Sequence, residues 1–152
     1  MTDEKELTTV EKLYVGVQLT RPLLRNITAR VEADLEGTGI SVGQRAILDV
    51  LLLLGRATAP EITQILQLKR QFVGRELKEL INNGMVQTEL NPMHKTARIH
   101  RLTPMATKII KEIRHRETES FTDFASRFTA DEIDGFYRIQ MALNEEMRKS
   151  WK

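Results

Sequence analysis

The feature that most constrains this 152-residue chain is a change of hydrophobic period at Gly84. Upstream, from Ser41 onward, apolar residues recur at steps of three and four, the spacing that places them on one face of a helix. Downstream, Met85-Val86-Gln87-Thr88-Glu89-Leu90 alternates apolar and polar, as a half-buried strand does. Two capping boxes mark helix starts within the helical stretch: Ser41 with Gln44, and Thr58 with Glu61. In such a pair each side chain satisfies a backbone N–H that the first helical turn leaves without a partner. They predict a helix from Ser41 to Leu54, stopped by Gly55, and a short helix from Ala59 to Leu66. After a brief turn a third helix is predicted from about Lys69 to Asn83, with Phe72 or Val73, Leu77, Leu80 and Ile81 facing inward and Gly84 as its stop. Asn91-Pro92 starts a turn, and Ala97 to Leu102 can be the returning strand, which leaves a polar and basic tip from Asn91 to Arg98.

Long helical patterns flank this middle. Glu4 to Glu36 reads as helix through Leu7, Val10, Tyr14, Val17, Leu24, Ile27, Val31 and Leu35, with a kink or break expected at Pro22, which lacks a backbone donor. After the hairpin, Thr103 can cap a long helix with Pro104 at its first position. Its apolar residues are Met105, Ile109, Ile110, Ile113, Phe121, Phe124 and Phe128, the last three read as core or subunit interface. A third capping box, Thr129 with Glu132, opens a last helix with Ile133, Phe136, Tyr137, Leu143 and Met147 inside and Trp151 near its end.

Helix, short helix, turn, helix, hairpin is the order of a winged helix-turn-helix. The expected fold is therefore mainly α: a winged helix-turn-helix lobe at 40–103 with a two-stranded β wing, and a helical dimerisation region built from 1–36 and 104–152. The terminal helices are too long and too apolar along one stripe to be satisfied in a monomer. No apolar run approaches the roughly 20 residues of a membrane span, and the polar, acidic start lacks the pattern of a secretory signal, so the expected location is the cytoplasm. With no cysteine, disulfides, thiolate catalysis and cysteine-ligated zinc are excluded. No nucleophile elbow, phosphate loop or metal-protease pattern is present, so no enzyme activity and no cofactor are expected.

Charge points to the partner. Net charge is only +2, yet Gln67 to Arg101 carries Lys69, Arg70, Arg75, Lys78, Lys95, Arg98 and Arg101 against Glu76, Glu79 and Glu89. That leaves +4 on this segment and −2 on the rest. A local cationic face on a near-neutral chain suits a polyanion, although by charge alone a solvated surface of mixed charge is the better reading. The helix-turn-helix context favours duplex DNA, because a helix about 12 Å across fits the major groove. On the Lys69–Asn83 helix, Lys69, Arg70, Gln71, Gly74, Arg75 and Lys78 lie on or near the face opposite the apolar one. Arg can bond guanine bidentately, Gln can bond adenine, and Lys can neutralise a phosphate. Gly74 permits either close approach to DNA or helix–helix packing.

At this point the chain resembles the multiple-antibiotic-resistance regulator (MarR) family from its first helix to its last. The resemblance is carried by Ile40-Ser41-Val42-Gly43-Gln44-Arg45-Ala46-Ile47-Leu48, by Pro60-Glu61-Ile62 through Leu80, by Gly84-Met85-Val86, and by Leu102-Thr103-Pro104-Met105-Ala106. It implies a homodimer on a palindromic operator, acting as a repressor that a small, often aromatic or phenolic, effector releases. Two departures stand out. Lys69 and Gln67 occupy positions where the family usually has Ser or Thr at the start of the recognition helix and Gly in the turn before it. In the wing, His94 and Thr96 stand where an acid and an Arg are common, so Lys95 and Arg98 are the expected cationic substitutes.

Of the three histidines, His94 is read as a wing contact and His100 as a surface strand residue; with His115 they form no compact metal-ligand set. Two other classes stay open at this point: a protein-interaction module on the winged scaffold, and a small-molecule or metal-binding protein without DNA activity.

Overall fold

The computed structural model describes residues 6–149. Trp151 and the expected helix start at Glu4 lie outside them. By backbone contacts the chain divides into two compact units, Met1–Lys108 and Ile109–Lys152.

The first unit opens with α1 (Thr9–Leu35), capped by a box that sequence reading missed, in which Thr8 and Glu11 exchange hydrogen bonds. The helix runs unbroken through Pro22, so of the expected kink or break the break does not occur. Proline deletes one ladder bond, to the carbonyl of Gln18, and the bonds on either side carry the helix across. Next come α2 (Val42–Leu54), the two-residue strand β1 (Ala57–Thr58), α3 (Ala59–Leu66) and α4 (Arg70–Asn82). The hairpin follows as β2 (Val86–Glu89) and β3 (Ile99–Leu102).

The boxes at Ser41–Gln44 and Thr58–Glu61 form as expected and fix where α2 and α3 begin. Helix α4 ends at Gly84, whose φ of 72° lets the N–H of Met85 reach back to the carbonyl of Leu80. The hairpin pairs Val86 with Leu102 and Glu89 with Ile99. It is joined by an unexpected third strand: β1 pairs antiparallel with β3, giving the order β1-β3-β2. Thr103 closes the hairpin base by donating to the carbonyl of Gly84, and it caps α5 (Pro104–Ser120) by accepting from the N–H of Ala106.

Helix α2 is the hub of this unit, packing on α1, α3, α4, β1 and β3. The core is Ile47, Leu48 and Leu51 of α2, Ile62 of α3, Val73, Leu77 and Leu80 of α4, and Met85, Val86 and Ile99 of the hairpin. Each such side chain contributes roughly 1.5–3 kcal/mol by leaving water. By contrast, Leu35 is the only buried residue of α1, and Val10, Tyr14, Leu19 and Leu24 are exposed.

The second unit departs from the expected single long helix. α5 stops at Ser120, and α6 (Thr122–Ala125) is a separate short turn of helix. Phe121, Phe124 and Phe128 therefore share no helix, and all three are exposed, although the Phe124 and Phe128 rings meet at 5.3 Å. The Thr129–Glu132 box forms and starts α7 (Ala130–Lys149). Its expected inward residues are not covered by their own chain: Ile133, Phe136, Tyr137 and Met147 are exposed and Leu143 is half-buried. Among the described residues no helix is long and apolar enough to cross a membrane.

Candidate nucleic-acid interface

The candidate surface is built by α3, the turn after it, α4 and the hairpin. The turn is tight because Gln67 takes a left-handed conformation (φ 53°), closing α3 with its N–H on the carbonyl of Thr63. Lys69, in extended conformation, sits at the N-cap of α4 without a side-chain capping bond. A lysine has no acceptor, so the N–H groups of the first turn gain nothing from it.

Helix α4 is sorted by burial. Val73, Leu77 and Leu80 face the core, while Lys69, Arg70, Gln71, Gly74, Arg75 and Lys78 are all exposed. The structure thus brings the six sequence-chosen residues of this helix onto solvent-facing positions. A Cβ added at Gly74 would meet nothing within 4 Å, so within this chain Gly74 serves no helix packing. Phe72, one of two candidates for the inward position, is half-buried beside the core residue Val73.

Sequence reading missed what lies beneath Arg75. Its guanidinium carbon stands 5.3 Å from the centroid of the Phe72 ring, and its Nε donates to Oε1 of Glu76 at 3.4 Å. Glu76 is a buried carboxylate on the core side of α4, and its other oxygen accepts from Nε2 of Gln44 at 3.0 Å. Gln44 is itself buried and is the second member of the box that starts α2. One signal was available: Glu76 falls on the apolar stripe with Val73, Leu77 and Leu80, and a carboxylate there needs a partner.

The wing tip holds its sequence-chosen residues less uniformly. His94, Lys95, Thr96 and Arg98 are exposed. Arg98 donates from Nε to Oγ1 of Thr88 at 3.1 Å across the hairpin, whereas Lys95 has no ion pair among the described residues. Arg101 is engaged by Glu89 at 3.0 Å. The turn at the tip is held by Asn91, which accepts from the N–H groups of Met93 and His94.

His100 corrects the sequence reading. It is buried, because β1 lies against β3 and pairs Ala57 with it. Burial holds its pKa below the ordinary 6.5, with a backbone hydrogen bond at Ala57 opposing and the nearby charge of Arg98 adding to the depression. Among the described residues no group of three or more His, Asp or Glu could hold a metal ion.

A helix-turn-helix with one cationic, solvent-facing helix and a basic-tipped hairpin beside it defines a winged-helix regulator. A crystal structure of a MarR family transcription regulator is 40% identical to this chain, aligning 92% of it with 93% of that protein at a TM-score of 0.82. The chain belongs to the MarR family of transcription regulators, and it is accordingly a regulator and not an enzyme. More distant structures share the fold. FabT of Streptococcus pneumoniae, solved in complex with DNA, is 16% identical over 91% of this chain and 98% of its own, with a TM-score of 0.76. AbsC, a MarR family transcriptional regulator from Streptomyces coelicolor, is 16% identical over 95% and 99%, with a TM-score of 0.74. No family model and no curated protein matches the sequence.

Proposed function

We propose that this chain binds duplex DNA as a homodimer, at a palindromic operator, and represses transcription until a small effector releases it. The observation that carries the DNA reading is the sorting of α4: three core residues inward and six exposed residues outward, four of them cationic (Lys69, Arg70, Arg75 and Lys78). In this reading α4 enters the major groove. Arg75 and Gln71 meet base edges, Lys69, Arg70 and Lys78 meet phosphates, and Gly74 lets the backbone approach. His94, Lys95, Thr96 and Arg98 bring the wing to the adjacent groove or backbone. That FabT was solved with DNA supports the assignment by analogy.

The lobe at 40–103 supplies the DNA surface, and the helices of 1–36 and 104–152 supply the dimer. The exposed apolar residues of α1 and α7 support the second part, since a monomer rarely leaves so many uncovered. Two recognition helices about 34 Å apart would reach successive major grooves of one operator. The family resemblance carries the repressor and effector parts.

The test is selection of duplexes from a random-sequence pool by the full chain, followed by fluorescence anisotropy on the enriched sequence and a scrambled one. Enrichment of an inverted repeat, bound more tightly than the scramble, is expected. Failure to bind any duplex even at low salt would sink the reading.

A further inference from the structure

The structure assigns Glu76, Gln44 and Phe72 a positioning role that no DNA-facing surface would reveal: they hold the guanidinium of Arg75 so that its two Nη groups are presented to a base edge. This rests on the reading of α4 as the recognition helix.

The argument starts from what a guanidinium offers. It has five N–H donors in a planar fork. The bidentate contact with guanine can use the edge made by the two Nη groups, provided the plane is held and the Nε side is occupied elsewhere. Here Nε donates to Glu76 at 3.4 Å, and the guanidinium carbon stands over the Phe72 ring, 5.3 Å from its centroid. Among the described residues the Nη groups make no hydrogen bond, and the Arg75 side chain is 71% exposed. One edge is thus fastened and the other points away from the protein's own partners.

The fastening is anchored in the core. Glu76 is 8% exposed and Gln44 3% exposed, and they are joined at 3.0 Å across the α2–α4 contact. Gln44 cannot turn away from Glu76 without leaving Ser41, because its Oε1 accepts from the Ser41 N–H at 3.2 Å. The ring beneath Arg75 is seated just as closely. A Cβ built on Gly43 would stand 2.6 Å from Cζ of Phe72, so only glycine leaves the ring where it is. The first turn of α2 therefore fixes both supports of one exposed arginine on α4. A carboxylate in that buried position also needs a cation, and Arg75 is the one that the described residues supply.

Such fastening removes rotamer freedom before binding, and that freedom is then not lost on the DNA. Releasing it is expected to weaken binding to the selected duplex about 3- to 10-fold, by the usual cost of immobilising one long side chain. Binding to a scrambled duplex, which depends on phosphate contacts, is expected to stay within a factor of about two.

The experiment is a double-variant cycle by anisotropy, with the full chain and a duplex enriched by the wild type. Glu76→Gln keeps a hydrogen-bonding partner for Gln44 but loses the charge facing Arg75, and Arg75→Ala removes the arginine. The expected result is that Glu76→Gln loses affinity for the enriched duplex alone, and that this loss disappears in the Arg75→Ala background. Gly43→Ala, which displaces Phe72 without touching Glu76, should behave the same way and serves if Glu76→Gln does not fold. Arg75→Lys, which keeps the charge but has no Nε, should match Arg75→Ala on the enriched duplex and the wild type on the scramble. If the losses simply add in the double variant, Glu76 acts on the fold and not through Arg75, and the proposal is overturned while the DNA reading stands. If Arg75→Ala leaves affinity for the enriched duplex unchanged, Arg75 reads no base and the proposal falls at its premise.

Discussion

Lys69→Ser should make this protein more stable and a weaker DNA binder at the same time. Lys69 has extended backbone angles (φ −69°, ψ 135°) at the N-cap of α4, and nothing on its side chain accepts from the first turn. Three other helices show what a hydroxyl does at that place. Ser41, Thr58 and Thr129 accept from the N–H three residues on at 3.1, 3.4 and 3.2 Å. The backbone angles of Ser41 (φ −79°, ψ 164°) and Thr58 (φ −86°, ψ 160°) lie close to those of Lys69. A serine at position 69 would accept from the N–H of Phe72, worth about 1 kcal/mol (0.5–2) for a newly capped helix. For a chain of this size that raises the melting temperature by roughly 2–4 °C per kcal/mol. In the proposed DNA-bound state the same change removes one cation from the groove-facing end of α4, so log K against log salt should flatten by about 1 per copy of α4. Differential scanning calorimetry and anisotropy titrations from low to moderate salt measure the two effects separately. An unchanged melting temperature would mean that the first-turn N–H groups already have equivalent partners in water, and the capping argument would be wrong. An unchanged salt slope would mean that Lys69 touches no phosphate.

Three further outcomes are expected. Lys95→Ala should weaken binding to enriched and scrambled duplexes alike and lower the salt slope, because its ammonium is exposed at the wing tip; a loss confined to the enriched duplex contradicts a phosphate role. Burial depresses the folded-state pKa of His100, so as pH falls below the ordinary 6.5 the unfolded chain takes up a proton that the folded chain resists. Its contribution to stability is thus intact above 6.5, declines below it, and levels off beneath the folded pKa; His100→Phe should shrink the difference in urea midpoint between pH 7.5 and pH 5.5, and an identical difference in both proteins would refute the assignment. Phe136→Glu with Tyr137→Glu should give monomers by sedimentation velocity, since both rings stand on the exposed apolar face of α7; a protein that remains dimeric would place the interface elsewhere.

The winged lobe was legible because its signals are local. Capping boxes need only residues three apart, and those at Ser41, Thr58 and Thr129 all formed. Gly84 and the switch to alternation after it set the end of α4 and the start of β2. What the sequence hid within this lobe depends on contacts between segments far apart in the chain. β1 is two residues long, too short for any period, and exists only because β3 offers it an edge; with it went the burial of His100. The break after Ser120 was masked because Phe121, Phe124 and Phe128 keep a helical spacing although the backbone around them does not stay helical. Pro22 misled in the opposite direction, since a rule about one missing donor is weaker than a long ladder on both sides of it.

The exposed face of α4 and the turn before it show the same division, in which two residues look ill chosen. Judged by local rules, Lys69 is a poor cap and Gln67 a poor left-handed residue, a conformation that costs a non-glycine about 1–2 kcal/mol. Both lie in the turn that delivers α4 to its exposed position. Glu76 is a third local misfit, a carboxylate on an apolar stripe, and it lies under Arg75. Local misfit in a chain whose other helices of eight or more residues each start on a capping hydroxyl is where a demand other than stability has acted. The misfits fall at the start of α4 and beneath its central arginine, whereas the buried stripe of Val73, Leu77 and Leu80 otherwise obeys every packing rule. That division follows if the outer face of α4 is shaped by a partner and the inner face by the core, so replacing the misfits one by one with better local choices should raise stability at Lys69 and Gln67 while eroding discrimination between duplexes at Glu76.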